Sequence, residues 1–288
     1  MFRLLNMKEN SKNRPFSAAR QFYPEDKKSL SKKIKELIRE SDQTKIDGKI
    51  FGLLLPHATY QLSGRITAQA VKNIQGKKFD TVIILSDSHY EYFNGISLWS
   101  EGKWETPLGK IEVDKKMAEK FLDSFKDLIS KQSPFIFDHT VEVQLPFLQM
   151  VLGKFKLLPL SFGSEKENWK ELAKTILNNI KDKKVLIIAS SDLSHYLPYK
   201  KANEIDKEIL KTIANLDTNL LEKKITNLEN ENIPGLETFL CSQDSVKVLM
   251  EITKSVKGKA EVLNYANSGD FTDDKLKVVG YGTVIFYK

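Results

Sequence analysis

Residues 185–195 read Val-Leu-Ile-Ile-Ala-Ser-Ser-Asp-Leu-Ser-His, an apolar run that passes through a polar turn and ends in a histidine. Residues 50–57 (Ile-Phe-Gly-Leu-Leu-Leu-Pro-His) and 81–89 (Thr-Val-Ile-Ile-Leu-Ser-Asp-Ser-His) follow the same pattern. Continuous apolar runs are typical of strands buried on both faces, as in α/β layer folds. The three stretches therefore predict buried strands of one sheet, each followed by a polar loop.

Other segments extend this alternation of strands and helices. Further strands are predicted at 157–160, 262–266 and 278–287, and helices at 26–38, 64–74, 115–129, 142–151, 167–180, 202–214 and 242–253. The first helix has Leu30, Ile34 and Leu37 at the spacing of an amphipathic face. Because the chain has no internal repeat and no Gly/Ser- or Pro-rich linker, we expect a single α/β domain over residues 14–288, preceded by a flexible tail at residues 1–13.

The composition is that of a globular protein without internal disulfides. The 288 residues are 41% hydrophobic and 29% charged, and they carry a net charge of +7. Only five of the 45 basic residues are arginines, and the lysines alternate with acidic residues along the chain. Both features disfavour nucleic-acid binding. No apolar run reaches the roughly 18 residues of a membrane span, and the first residues lack a signal-peptide core. We therefore expect a cytoplasmic protein that binds neither nucleic acid nor membrane.

The positions of the four histidines carry most of the functional information. His57, His89 and His195 each stand shortly after a predicted strand. Ligands of open α/β sheets bind beyond the carboxyl ends of the strands, so these three imidazoles can share one crevice. Since a lone histidine is usually structural, it is their equivalent placement that favours a functional site.

Polar residues near these histidines predict an organised pocket. After His57, Tyr60 can donate its hydroxyl and Ser63 can open a helix. Before His195, Ser191 and Asp192 can line the pocket or cap a helix, and Asp192 can fix the tautomer of an imidazole.

Two further segments are candidate pocket walls. His139 and Glu142 share a face of a first helical turn, where they either line the crevice or form a cap and an ordinary surface pair. Asn267 ends an apolar run, where it either walls the pocket or belongs to a simple turn.

Cys241 adds a sulfur ligand to the candidate site. It precedes a predicted helix, whose N-terminus lowers a thiol pKa, although a lone cysteine is more often a small buried apolar residue. With His57 and His89 it completes a two-histidine, one-cysteine set with open coordination positions. Such donors suit iron, copper or zinc and disfavour magnesium and calcium.

Several common catalytic motifs are absent from the sequence. It has no phosphate-binding loop of the Walker type, no Gly-x-Gly-x-x-Gly opening a helix and no Gly-x-Ser-x-Gly. Nucleotide-dependent enzymes of those classes and Ser-His-Asp hydrolases with a nucleophile elbow are therefore disfavoured.

Five segments in order resemble one known family. They are residues 14–24 (Arg-Pro-Phe-Ser-Ala-Ala-Arg-Gln-Phe-Tyr-Pro), 56–64 (Pro-His-Ala-Thr-Tyr-Gln-Leu-Ser-Gly), 138–148 (Asp-His-Thr-Val-Glu-Val-Gln-Leu-Pro-Phe-Leu), 190–196 (Ser-Ser-Asp-Leu-Ser-His-Tyr) and 267–270 (Asn-Ser-Gly-Asp). Together they resemble the Memo family, called AmmeMemoRadiSam system protein B in prokaryotes. The resemblance runs from about Arg14 to the C-terminus.

The resemblance implies a fold similar to class III extradiol dioxygenases, with a mixed, mostly parallel sheet flanked by helices. It also implies a metal bound by His57, His89 and Cys241, with Asp192 and His195 beside it. The family is linked to iron or copper binding and to redox control, and its genomic neighbours imply radical-SAM and AMME-type domain partners.

The sequence departs from the family pattern near these residues. Thr59 replaces a glycine, Tyr90 replaces the second of two histidines, and Ser242-Gln243 replaces Gly-Arg. The last change removes a cation that could have bound an anionic substrate. Cys241 also stands where extradiol enzymes have a carboxylate, and a thiolate alters a metal's potential.

These observations predict a dioxygenase-like redox enzyme with iron or copper at the site, in which His195, oriented by Asp192, is the general acid or base. A non-enzymatic protein that binds a peptide or small molecule in the same pocket is the alternative. A zinc-dependent hydrolase is a third.

Overall fold

The structure is a computed structural model that describes residues 12–163, 168–181, 183–231, 233 and 235–288. Its strands are β1 (Asn13–Arg14), β2 (Ile50–Leu55), β3 (Thr81–Asp87), β4 (Ile96–Leu98), β5 (Lys103–Thr106), β6 (Gly109–Glu112), β7 (Leu128–Ser130), β8 (Lys156–Phe162), β9 (Val185–Ser190), β10 (His195–Leu197), β11 (Lys259–Asn267) and β12 (Val278–Tyr287). Its α-helices are α1 (Lys27–Glu40), α2 (Gly64–Lys72), α3 (Lys115–Ser124), α4 (Ser133–Ile136), α5 (Leu145–Leu152), α6 (Trp169–Asn179), α7 (Tyr199–Ala214), α8 (Thr218–Asn230) and α9 (Gln243–Ser255).

A mixed sheet forms the centre of the protein. Its strands follow the order β10-β12-β2-β9-β3-β8-β4-β7, and β11 also pairs with β12. The central strands β2, β9, β3 and β8 are parallel, whereas β12 runs antiparallel to β2, and β4 antiparallel to β8. This architecture confirms the predicted α/β fold with helices around a mixed sheet.

Helices cover both faces of the sheet because alternate residues of each central strand point to opposite sides. In β2, Leu54 packs in the layer that contains α3, α6, α7, α8 and α9, whereas Leu53 packs in the layer that contains α1, α2 and α5. Ile187 and Ile188 of β9 divide between the same two layers. Burial on both faces explains why nearly every residue of β2 and β9 is apolar.

Some predicted boundaries were wrong. The predicted helix at 115–129 ends at Ser124, because Phe125 is extended and Leu128–Ser130 pair with β4. The predicted helix at 142–151 begins as a 3₁₀ turn at Glu142–Gln144 before α5. Helices α4 and α8 and the short strands β1, β4, β5, β6, β7 and β10 were not predicted.

The predicted N-terminal tail falls mostly outside the described residues, which begin at Lys12. Within it, Asn13 pairs with Lys103 of β5. Across the part of the chain that the structure describes, every helix is too short or too polar to cross a membrane.

The topology brings three loops to one edge of the sheet. Strands β2, β3 and β9 are parallel neighbours, so their carboxyl ends lie together. His57, His89 and the segment from Ser191 to His195 follow these ends directly. Helix α9 packs against β3 and β9 and places the preceding Cys241 at the same edge.

Candidate metal centre

Two imidazoles and the cysteine converge at this edge. His57, His89 and Cys241 each offer a ligand atom, and the three atoms lie within 4.8 Å of one another. The Cys241 Sγ is 3.3 Å from the His57 Nε2, and the two imidazole centroids are 5.0 Å apart. The predicted convergence of these residues is confirmed, and we call them the His/His/Cys group.

Hydrogen bonds fix the tautomer of His57. Its Nδ1 lies 3.2 Å from the Ser190 Oγ, and that hydroxyl donates its proton to the Thr140 carbonyl at 2.7 Å. The Gln144 side-chain amide also donates to the Ser190 oxygen, at 3.0 Å. Because Ser190 can only accept from the ring, Nδ1 carries the proton and the Nε2 lone pair is free toward Cys241.

His89 is set in the same tautomer by a different group. Its Nδ1 lies 2.8 Å from the backbone carbonyl oxygen of Asp87, which can only accept a hydrogen bond. Nδ1 is therefore the donor, and Nε2 keeps its lone pair. The backbone N–H of His89 donates to Asp138 at 3.0 Å and anchors the loop. Both histidines thus have the tautomer of an Nε2 metal ligand.

Asp192 joins the two loops that carry His57 and Cys241. Its carboxylate accepts the backbone N–H of His57 at 2.8 Å, and its own N–H donates to the Cys241 Sγ at 3.1 Å. Asp192 therefore orients the His/His/Cys group, whereas the sequence suggested that it orients His195. Ser191 supports the same junction, because its Oγ accepts the N–H of Ser242 at 3.0 Å.

Burial disfavours charge at this site when no cation is bound. It lowers the pKa of His57 well below its ordinary value, with the neighbouring His89 and His139 adding to the effect, and it raises the pKa of Asp192 to about 7. Burial and the adjacent Asp192 raise the pKa of the Cys241 thiol, opposite to the direction expected from a helix N-terminus. Metal binding would therefore displace the thiol proton.

His195 lies near the group with one nitrogen unused. Burial lowers the pKa of His195 to about 4, with the neighbouring His89 adding to the effect, so its ring is neutral at pH 7. Its Nε2 is buried and has no hydrogen-bond partner among the described residues. A buried, unpartnered ring nitrogen at this edge can bind a polar atom of a ligand.

His139 also belongs to this edge. Its ring centroid is 5.3 Å from that of His57 and 5.8 Å from that of His89, and the ring stacks on Phe22 at 4.1 Å. Its Nδ1 is buried without a partner among the described residues, and burial lowers the pKa of His139 to about 4.

Glu142, in contrast, is fully buried in contact with the N-terminal segment. Its carboxylate accepts hydrogen bonds from Arg14 at 2.5 Å, from the Ser17 N–H at 2.8 Å, from the Ala18 N–H at 2.9 Å and from the Tyr23 hydroxyl. It is thus a structural anchor for residues 14–23.

The side chains of three other predicted pocket residues form hydrogen bonds with backbone groups. The Tyr60 hydroxyl donates to the Val143 carbonyl at 2.7 Å, and the Ser63 hydroxyl donates to the Ala58 carbonyl at 3.1 Å. The Asn267 side chain caps the 3₁₀ turn at residues 268–270. These bonds shape the loops around the site.

Sequence reasoning missed several supporting residues. Asp87 is the counterpart of Asp192, since each lies at or just beyond the carboxyl end of a strand within a Ser-Asp pair, and it accepts a hydrogen bond from Ser245 of α9 at 2.7 Å. That recurring pair was the signal that could have identified Asp87. No sequence signal marks Ser190 or Gln144 as the residues that set the tautomer of His57.

The chain is similar to known proteins over most of its length. The family model described as Memo-like protein matches residues 14–285. A MEMO1 family protein from Methanosarcina barkeri is 33% identical over 274 residues, covering 93% of this chain and 98% of the relative. One from Methanobrevibacter smithii is 34% identical over 285 residues, covering 94% and 98%. A solved structure of an uncharacterized Escherichia coli K12 protein aligns with a TM-score of 0.48 at 12% identity, covering 82% of this chain and 99% of that one.

Proposed function

Because this chain belongs to the Memo-like protein family, we propose that it binds a redox-active ion, iron or copper, through His57, His89 and Cys241 and oxidises a small organic molecule in an oxygen-dependent reaction. The observation that carries the proposal is the meeting of three ligand atoms within 4.8 Å, with both histidine Nδ1 atoms already engaged elsewhere.

The donor set fits such an ion. Two neutral imidazoles and one thiolate suit iron, copper and zinc, and three protein ligands leave coordination positions open. Outer hydrogen bonds that fix the ligand tautomers are typical of metal sites, and Ser190 and the Asp87 carbonyl provide them here. When bound, the ion would supply redox chemistry and open positions for substrate.

The surrounding residues hold protons and orient ligands. Asp192 fixes the separation of the His57 and Cys241 loops through its carboxylate and its N–H. His195 is neutral at pH 7, so in the tautomer that carries its proton on Nδ1 its Nε2, which has no partner among the described residues, would accept a hydrogen bond and then a proton from a substrate hydroxyl. We assign the redox class but not catechol cleavage, because a thiol stands where extradiol enzymes have a carboxylate.

Elemental analysis of the anaerobically purified protein tests the metal first. We expect about one iron or copper per chain, and loss of that stoichiometry in His57→Ala and Cys241→Ser. His139→Gln is the matched control, because His139 lies at the same edge but outside the His/His/Cys group. Unchanged metal content in His57→Ala would refute the ligand assignment.

Oxygen consumption with reconstituted protein tests the redox chemistry. We expect turnover with an organic reductant, such as a catechol, that depends on Fe²⁺ or copper and is reduced in His195→Gln with metal content unchanged. Zinc alone in the purified protein, with metal-dependent hydrolysis, would replace the redox proposal by a zinc hydrolase. Tight peptide binding without metal or turnover would replace it by a binding function.

A further inference from the structure

A second cleft, of about 680 Å³, opens at the opposite edge of the sheet. Ile50 and Val185, the first residues of β2 and β9, line it, whereas His57 follows the last residue of β2. At about 3.3 Å per strand residue, the cleft lies roughly 20 Å from the His/His/Cys group. It is therefore separate from the proposed metal centre.

The floor of this cleft is apolar and incompletely covered. Phe51, Leu177, Ile180 and Val256 line it and are only partly buried, although each belongs to or adjoins an element of the core. The volume falls within the roughly 300–1,000 Å³ range of small-molecule sites. An apolar ligand that covers this floor removes apolar surface from water, and this makes binding more favourable.

The rim of the cleft is strongly cationic. Of the sixteen described residues that line it, seven are lysines and none is acidic, whereas Lys and Arg together make up 45 of the 288 residues of the chain. The rim lysines are Lys49, Lys77, Lys78, Lys181, Lys183, Lys184 and Lys288. Among the described residues, only Lys183 has a carboxylate within salt-bridge distance, Asp114 at 4.0 Å.

We propose that this cleft binds a single-chain anionic amphiphile of the long-chain carboxylate class. The apolar chain would cover the floor, and the carboxylate would meet the six rim lysines that have no carboxylate within salt-bridge distance among the described residues. Lysine suits this arrangement, because its alkyl stem packs along apolar surface while its ammonium reaches an anionic head group. The inference does not depend on the proposed metal centre.

Calorimetric titration of the full chain with dodecanoate, below its micelle concentration, tests the proposal. We expect saturable binding of one molecule per chain, and binding at least about tenfold weaker for dodecanol and for acetate, which each lack one half of the ligand. Cys241→Ser should bind dodecanoate with unchanged affinity.

Charge reversal locates the site. Lys49→Glu with Lys184→Glu should weaken dodecanoate binding by about tenfold or more, because two attractions become repulsions. Lys200→Glu with Lys201→Glu makes the same charge change on exposed positions of α7, outside the cleft, and should have little effect. Leu177→Glu, checked for folding by circular dichroism, should also weaken binding.

Three results would overturn the proposal. They are absence of saturable dodecanoate binding, equal affinity for dodecanol and dodecanoate, and equal losses in the two charge-reversal pairs. The last two would indicate non-specific apolar or electrostatic adsorption.

Discussion

The buried ion pair between Arg14 and Glu142 offers a sharp test of how the N-terminal segment is held near the sheet edge that carries the His/His/Cys group. Glu142→Gln keeps the shape of the side chain but removes its charge. Both partners are 0% exposed, so the substitution leaves the Arg14 guanidinium buried without its counter-ion. We expect a large loss of stability together with local opening of residues 14–23.

The magnitude follows from what remains around Arg14. The Phe135 and Asp138 carbonyls still accept from the guanidinium at 2.6 and 2.7 Å, and Trp104 still stacks on it at 4.3 Å. These contacts supply no counter-charge, and breaking one side of a buried pair costs about 3–5 kcal/mol. That loss is a large fraction of the about 5–15 kcal/mol that stabilises a typical domain.

Urea denaturation followed by circular dichroism measures the global loss, and hydrogen exchange measures the local one. The Ser17 and Ala18 amides donate to Glu142 and should lose protection first. Glu119→Gln is the matched control, because Glu119 is exposed and 3.9 Å from Lys115, and it should cost less than about 0.5 kcal/mol. Adding Arg14→Met to Glu142→Gln should recover part of the loss, since no buried charge then remains.

A loss below about 1 kcal/mol in Glu142→Gln, with unchanged amide protection at residues 17 and 18, would refute this reasoning. Confirmation would connect the pair to the sheet edge that carries the His/His/Cys group, because Phe22 of the anchored segment stacks on His139 at 4.1 Å.

Three further predictions concern the site and the core. Ser190→Ala removes the acceptor that fixes the tautomer of His57, so metal affinity in a competition titration should fall about 10–100-fold. Ser194→Ala is the control, because the Ser194 hydroxyl has no partner among the described residues, and it should leave metal affinity unchanged. Burial raises the pKa of Asp206 from 3.8 to about 6, so the folded protein binds the Asp206 proton more tightly than the unfolded chain does. The free energy of unfolding therefore falls as pH rises from about 4 to about 6. Asp206→Asn should remove that slope and gain about 2–3 kcal/mol on the parent between pH 4 and pH 7 in urea denaturation, and a parallel dependence would contradict the assignment. Gly280→Ala would place a methyl group 1.9 Å from the Asp206 carboxylate, so thermal denaturation should show a loss of more than about 2 kcal/mol; an unchanged midpoint would exclude this packing.

The central strands were predictable because their signal is local. Residues 50–55, 82–85 and 185–189 are continuous apolar runs, since helices cover both faces of the sheet. The short strands β4 and β7 carry three residues each, too few for a period to be recognised, and only their partners in the sheet make them strands. Phe125 shows the same limit, because no helix-breaking residue marks the end of α3.

The His/His/Cys group was predictable in part. The convergence of His57 and His89 follows from sequence, because parallel neighbouring strands end at one edge. That Cys241 belongs to the same group was predicted from the ligand chemistry of its thiol and from the family resemblance. Its position depends on how α9 packs across β3 and β9.

The amino-acid sequence by itself determined the alternation of buried strands and amphipathic helices, the family and the residue types available as metal ligands. Only the tertiary structure decided which polar groups form hydrogen bonds or ion pairs with each other. Asp192 binds the His57 backbone, and Glu142 binds Arg14, across more than a hundred residues in each case. The physical reason is that a strand's hydrophobic period is a property of adjacent residues, whereas a buried polar group is satisfied by whatever donor the packing brings within about 3 Å.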